Sequence, residues 1–214
     1  MAVFELIKKR RSIRAYKSIF VGNDKLLKVL EAGHYAPSAG NLQSWKFIVV
    51  KEKKAKEQIV EAALNQTWMS TAPVIIVVCA NLEKVKRYYS TRGERLYCVQ
   101  ECAAAVENML LAAEELGLAT CWVGAFDEVL LKRTLDIPDS ARPQAIITLG
   151  YADEKVPEPS KYKLRDVVYF DRYGKSEDAF FPVSKQAEKI EQQAEPLIEM
   201  IKGKIVSAVT KRKR

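Results

Sequence analysis

The chain has 214 residues, 48% hydrophobic and 29% charged, with a formal net charge of +8. A chain of this length buries roughly 70% of its unfolded surface, so its core needs neither disulfides nor a structural metal, and the composition excludes wholesale disorder. No apolar run approaches the roughly 18 residues that span a bilayer. Met1–Arg14 also lacks the apolar stretch of a secretory leader, so a cytoplasmic protein without membrane association is expected.

The positive charge is unevenly placed. Residues 1–20 carry +5 and residues 202–214 carry +6, leaving −3 for the middle. A nucleic-acid-binding domain spreads its basic residues over a folded face, whereas this excess sits at the two ends, and the final KRKR reads as a solvated tail. Cysteine and histidine usage is equally restrictive. Cys79 and Cys121 lie in apolar strand-like runs, Cys98 and Cys102 stand one helical turn apart, no pair has C-x-x-C spacing, and His34 is the sole histidine. A zinc site or a Ser-His-Asp triad therefore lacks material. The four cysteines read as small buried hydrophobes, His34 reads as structural, and no metal site is expected.

In chain order, Val3, Leu6 and Ile7 recur at helical spacing, and Asp24 reads as the N-cap of an amphipathic helix that ends near Pro37. Trp45–Val50 and Pro73–Cys79 read as buried strands, with a surface helix over Lys53–Leu64 between them. The longest helix is predicted over Tyr97–Leu116, with so wide an apolar face that it should be central, and Gly117 as its C-cap. Thr120–Val123 follows as a strand, Glu128–Leu135 as a short helix ended by Pro138, and Ala145–Leu149 as a strand. Beyond Gly150 the chain is expected to be irregular, then extended around Val167–Phe170, with a last helix over Lys185–Val209 interrupted by Pro196. Strands and helices intermix, which places the chain in the α/β or α+β class.

Two segments have the composition of a ligand site. If Arg10-Arg11-Ser12-Ile13-Arg14 is extended, Arg10, Ser12 and Arg14 project to one side at period two and Arg11 to the other. Two guanidiniums flanking a hydroxyl can cradle a phosphate; a solvated basic segment at a helix end explains the same residues. Ala36–Trp45 (APSAGNLQSW) lies between a helix and a strand. Its small residues let a planar ligand approach the backbone, and Asn41 offers donor and acceptor together, although an ordinary connecting loop has the same look. Trp45 reads as core.

The blocks RRSIRAY, APSAGNLQSWKFIVV, RGERLYCVQECAAAVENMLLAAEELGLATCWVGAFDEVLLKRTLDIP, LGYADE and KYKLRDVVYFDRYG, in this order over roughly residues 3–174, resemble the nitroreductase family. The resemblance implies an α+β (mixed α/β) fold, with a central mixed sheet packed by helices, a long central helix, and two chains intertwined as a homodimer. It implies an FMN-dependent oxidoreductase with two FMN sites at the dimer interface, passing a hydride from NADH or NADPH through flavin N5 to nitroaromatic, quinone or related acceptors in a ping-pong cycle. Matched by motif, Arg10, Ser12 and Arg14 would hold the phosphate and the N1–C2=O edge from one subunit. Pro37, Ser38, Ala39 and Asn41 would close the site from the other. Gln66 would reach the pyrimidine edge, and Gly124 and Ala125 would present backbone N–H groups to N5 and O4. Lys163 and Arg165 match a second basic pair near the ribityl phosphate.

The fixed positive charge of Arg10, Arg14, Lys163 and Arg165 suits both a phosphate and a reduced flavin that is anionic at N1. The scarcity of histidine fits too, since the cofactor carries the chemistry and no side chain is assigned as catalytic. Glu83–Glu94 is expected to be a variable loop over the flavin, where Tyr88 and Tyr89 either stack on an aromatic acceptor or pack. No signature separates NADPH from NADH.

The sequence departs from the family in places. Ser44 stands where proline is frequent and is expected to be tolerated in a loop, and Gly124 replaces an acid found in some branches. Residues 1–180 are taken as the FMN-binding domain and 181–214 as a helical extension with a basic tail, read as packing on the partner. Rival readings are a flavin or dioxygen reductase, a branch that fragments flavin or removes a halogen, and a non-catalytic flavin- or nucleic-acid-binding module using the basic termini.

Overall fold

The computed structural model describes residues 2–177 and 180–181. The chain divides into two compact units, one through Glu158 and a second from Pro159 onward. The helix predicted over Lys185–Val209 and the KRKR tail lie outside the described residues.

The first unit opens with α1 (Val3–Lys9), whose Lys8 and Lys9 complement the negative end of the helix dipole. A two-residue strand, β1 (Tyr16–Lys17), precedes α2 (Asn23–His34). Gly22, not Asp24, is the N-cap of α2. Asp24 sits in the first turn, where its charge still faces the positive helix end. β2 (Trp45–Val50), α3 (Lys53–Ala62) and β3 (Val74–Asn81) follow the apolar pattern.

The segment predicted as a loop over 83–94 is instead helical. α4 (Leu82–Arg92) is capped by Asn81, whose side chain accepts the Lys84 N–H at 2.9 Å, and Ser90 breaks it at φ 51, ψ −145. A π turn over Gly93–Tyr97 then feeds α5 (Cys98–Glu115). At the end of α5, Gly117 adopts φ 71. Its N–H bonds Glu114 O at 3.1 Å and the Leu118 N–H bonds Ala113 O at 2.8 Å, the paired closure that favours glycine just past a helix end. β4 (Ala119–Val123), α6 (Glu128–Thr134, capped by Asp127) and β5 (Ala141–Ala152) complete the unit.

The strands form one antiparallel sheet in which β5 and β3 are central, β2 is one edge, and β4 and β1 line the other side of β5. A lone parallel bridge joins Ser12 to Thr120. β5 begins four residues earlier than the apolar run Ala145–Leu149 predicts, running through Pro143. That proline lies opposite Cys79, where the β3–β5 register shifts between Val78 and Cys79. A ladder tolerates a residue without an N–H at such an irregularity.

All of β3 except Asn81 is buried, because both of its faces are covered. Ile76 and Val78 point with Ile147 and Leu149 toward α2 and α5, meeting Val29, Val106 and Met109. Ile75 and Val77 point with Ile146 the other way, toward Ile59 of α3 and Leu131 of α6. This helix–sheet–helix arrangement explains why β3 is a continuous apolar run rather than an alternating one. β2, at the edge, is only partly buried between Trp45 and Val50, less than its composition predicts.

In the second unit a 3₁₀ turn spans Leu164–Asp166. The chain predicted as extended around Val167–Phe170 forms no strand. Phe170, Phe180 and Phe181 cluster there, with ring centroids 5.0–6.2 Å apart.

Candidate functional site

The basic segment after α1 is extended and pinned from both sides. Ile13 donates its N–H to Thr120 O at 2.9 Å beside the Ser12–Thr120 bridge. Past β5, the Glu154 carboxylate accepts the backbone N–H of Arg14 and, at 3.1 Å, that of Ala15. The Tyr16 hydroxyl donates to Ile13 O at 2.6 Å and lies 2.7 Å from Thr148 Oγ1, and burial pushes its pKa well above the usual phenol value. Backbone bonds to the sheet thus set the alternation. Arg10, Ser12 and Arg14 all act on the Cys121 thiol, each opposing the rise in pKa that burial imposes there. Arg11 turns away. Its Nη1 donates to the carbonyls of Lys8 at 2.5 Å, Lys9 at 3.1 Å and Arg10 at 3.0 Å, closing the end of α1. The arginines divide by position: Arg11 serves the helix end, while Arg10 and Arg14 flank Ser12.

Gln66, Gly124 and Ala125 lie along the same side of the sheet. The Arg14 guanidinium sits 5.8 Å from the ring of Trp68, in the short helical turn that Gln66 opens. Gln66 Nε2 donates to Ala63 O at 3.0 Å and Ala125 O at 3.1 Å. Gly124 and Ala125 are exposed at the end of β4, and a Cβ added to Gly124 would meet no atom within 4 Å. The β4 side of the sheet therefore gathers two arginines, a hydroxyl, an amide and an open backbone turn.

Pro37, Ser38, Ala39 and Asn41 form a second group before β2, on the opposite edge. This loop is irregular. Gly40, Asn41 and Gln43 all have left-handed φ of 54, 56 and 50°, which for the two non-glycine residues requires support. Within the loop, the Gln43 N–H donates to Ser38 Oγ at 3.0 Å, and Gln43 Nε2 donates to Asn41 O at 3.1 Å and Oδ1 at 3.0 Å. From outside, the Tyr89 hydroxyl packs so close to Gly40 that an added Cβ would lie 2.5 Å from it. Tyr89 also meets Tyr97 edge to face at 5.2 Å. Of the two tyrosines of α4, Tyr89 packs and Tyr88 is exposed. Pro37, Ser38 and Ala39 face Tyr97 and Glu101 across a cavity of about 380 Å³. A larger cleft of about 720 Å³, between α2 and β2, contains none of the predicted flavin residues.

Ser44 lies in the loop before β2. It is fully buried, and its hydroxyl donates to Glu101 Oε1. Lys163 and Arg165 are exposed on the 3₁₀ turn of the second unit. Trp45 is core, edge-on to an exposed His34 at 6.3 Å, and all four cysteines are buried free thiols. Two residues escaped sequence reasoning: Glu154, which clamps Arg14, and Glu101, a buried acid on α5. The one signal for Glu101 was its place among apolar neighbours on a helix too apolar to tolerate a charge cheaply.

The nitroreductase family profile matches residues 7–68 and 60–151. A provisionally named NADH dehydrogenase/NAD(P)H nitroreductase from Methanothermobacter thermautotrophicus is 38% identical over 160 residues, covering 72% of this chain and 79% of that protein. An FMN reductase [NAD(P)H] from Bacillus subtilis is 30% identical over 171 residues, covering 73% of this chain and 69% of that one. The solved structure of an FMN-dependent nitroreductase from Clostridium difficile R20291 superposes with a TM-score of 0.69 at 28% identity, covering 79% of this chain and 99% of that one. Profile, relatives and architecture agree: the chain belongs to the nitroreductase family.

Proposed function

We propose that this nitroreductase-family enzyme holds FMN between two copies of the chain and uses NADH or NADPH to reduce nitroaromatic, quinone or related acceptors. The reading rests on the separation of the two residue groups. The basic group lies beside β4 and the small-residue loop precedes β2, with β5 and β3 between them. A chain that carries two halves of a cradle on opposite edges offers them to different neighbours. Two-fold pairing then sets the basic group of one copy against the loop of the other.

The residues fit the cofactor. Arg10 and Arg14 supply charged forks on either side of the Ser12 hydroxyl, the donor set a phosphate or an electron-rich ring edge accepts. The open space at Gly124 leaves the backbone reachable by a planar ring. Gln66, held by its bonds to Ala63 and Ala125, serves the pyrimidine edge from that fixed position. Bound FMN supplies hydride exchange at N5, first with the nicotinamide and then with the acceptor. The chain's own part is to bind, to neutralise negative charge through Arg10 and Arg14, and to leave one ring face open for both substrates in turn.

The test is a visible absorption spectrum of the purified protein after FMN is supplied, followed by anaerobic addition of NADH and then NADPH. Flavin bands that bleach are expected, and the more effective nucleotide identifies the donor. A protein that acquires no flavin bands overturns the reading.

A further inference from the structure

We infer that Glu101 is a positioning residue for the flavin loop: reached by the Ser44 hydroxyl, it fixes residues 38–44 in the shape that receives FMN. The inference rests on the FMN reading above.

Glu101 stands in the first turn of α5 and is 3% exposed. Its Oε1 accepts the Ser44 hydroxyl. Oε2 is buried without a hydrogen-bond partner, the one such side-chain atom among the described residues. A half-satisfied buried acid is a poor choice for stability, because an apolar residue of similar volume would pack there without losing hydration. Its surroundings also fail to complete its bonding, which separates it from a structural ion pair.

What it touches gives the reason for its presence. The loop holds three left-handed residues among four positions, Gly40 to Gln43, and such backbone persists only where its surroundings over-determine it. The bonds among Ser38, Asn41 and Gln43 are internal to the loop and move with it. The Ser44 carbonyl is tied to the sheet by the Asn81 N–H at 2.8 Å, and the Ser44 side chain is tied to α5 by Glu101. Ala39 lines the same cavity as Glu101, and the backbone at Ala39 and Ser44 opposes the rise in pKa that burial imposes on the carboxyl. One carboxyl therefore addresses both ends of the loop. Ser44, the residue that departs from the proline frequent in the family, provides the side-chain donor.

The experiment titrates FMN into apoprotein of the wild type and of Ser44→Ala, Glu101→Leu and Glu101→Gln, following flavin fluorescence, with the apoprotein Tm measured at the same pH. Glu101→Leu should keep or raise Tm yet weaken FMN binding by about tenfold or more, and Ser44→Ala should weaken it by roughly three- to tenfold. Glu101→Gln, which retains an acceptor for Ser44, should stay within about threefold of wild type. That rescue, with affinity lost while Tm is held, separates positioning from a general structural role. Wild-type affinity in Ser44→Ala overturns the inference even if Glu101→Leu fails to fold, and so does an affinity loss that merely tracks a falling Tm. A wild-type chain that takes up no FMN overturns the FMN reading and this inference together, whereas wild-type uptake with unaffected variants overturns this inference alone.

Discussion

The two halves of the proposed site are held in shape by opposite means. The segment from Arg10 to Arg14 borrows its geometry from the sheet: a bridge to Thr120, a carbonyl bond from Ile13, and backbone N–H groups clamped by Glu154. The loop from Ser38 to Gln43, tied to the sheet only past its end at Ser44, takes up left-handed backbone supported by side chains. A segment built on strand pairing keeps its shape when its outward side chains change. A loop built on side chains does not. Changes to outward side chains of the first half should therefore separate binding from stability, and changes to the strained backbone of the second, at Gly40 above all, should couple them.

The largest effect should come from Arg10→Ala combined with Arg14→Ala. Removing two charge-assisted donors at about 1.5–3 kcal/mol each weakens FMN binding by roughly 10²- to 10⁴-fold, read by titrating apoprotein with FMN. Arg14 is exposed, so Tm should shift little, and a large fall in Tm would break the contrast. Tyr16→Phe attacks the scaffold of the same half. It strips a buried hydroxyl from Ile13 O and Thr148 and should cost about 1–3 kcal/mol of stability by denaturant unfolding.

In the loop, Gly40→Ala combines φ 54 with a clash against the Tyr89 hydroxyl. It should cost about 1–2 kcal/mol and weaken FMN binding as well. Gly124→Ala meets nothing and should change stability by less than about 0.5 kcal/mol, the smallest shift of the set.

A dependence on pH sharpens the same contrast. Burial raises the Glu101 pKa, opposed by the Ala39 and Ser44 N–H groups and by Lys84, with Cys98 and Cys102 as its other titratable neighbours. A folded-state value above the unfolded one means that the folded protein binds the extra proton more readily. This contribution to stability is thus full below the ordinary carboxyl range and lost as pH rises through the raised value. Glu101→Gln should flatten that part of the Tm–pH curve, and an unchanged slope would mean that the carboxyl is not the titrating group.

Much of the scaffold was legible because burial writes directly into sequence. The unbroken apolar run of β3 follows from helices on both of its faces, and the three–four spacing on α5 follows from its contact with the sheet and α2. The ends of elements were harder. Pro143 hides the start of β5, because only the three-dimensional register shows the irregularity that admits it, and α4 reads as a loop because its charged residues outnumber its buried ones. Within the site, period-two alternation correctly separated Arg10, Ser12 and Arg14 from Arg11. Apart from its apolar neighbours, nothing marks Glu101, because an acid looks the same on an exposed helix as beneath a loop 57 residues away. Nothing marks Glu154, because an exposed acid gives no sign of the backbone it clamps. Their roles lie in what they bond, which one-dimensional patterning does not record.

Placing the two half-cradles on opposite sheet edges has a genetic consequence under the proposed pairing. A copy lacking Arg10 and Arg14 and a copy with a disrupted loop are each inactive as pure pairs. Co-expressed, they assemble mixed pairs in which the sound arginines of one copy face the sound loop of the other, restoring one site and leaving its twin doubly damaged. Two null alleles of this gene should therefore complement each other when the lesions fall on different edges, and fail to do so when they fall on the same one.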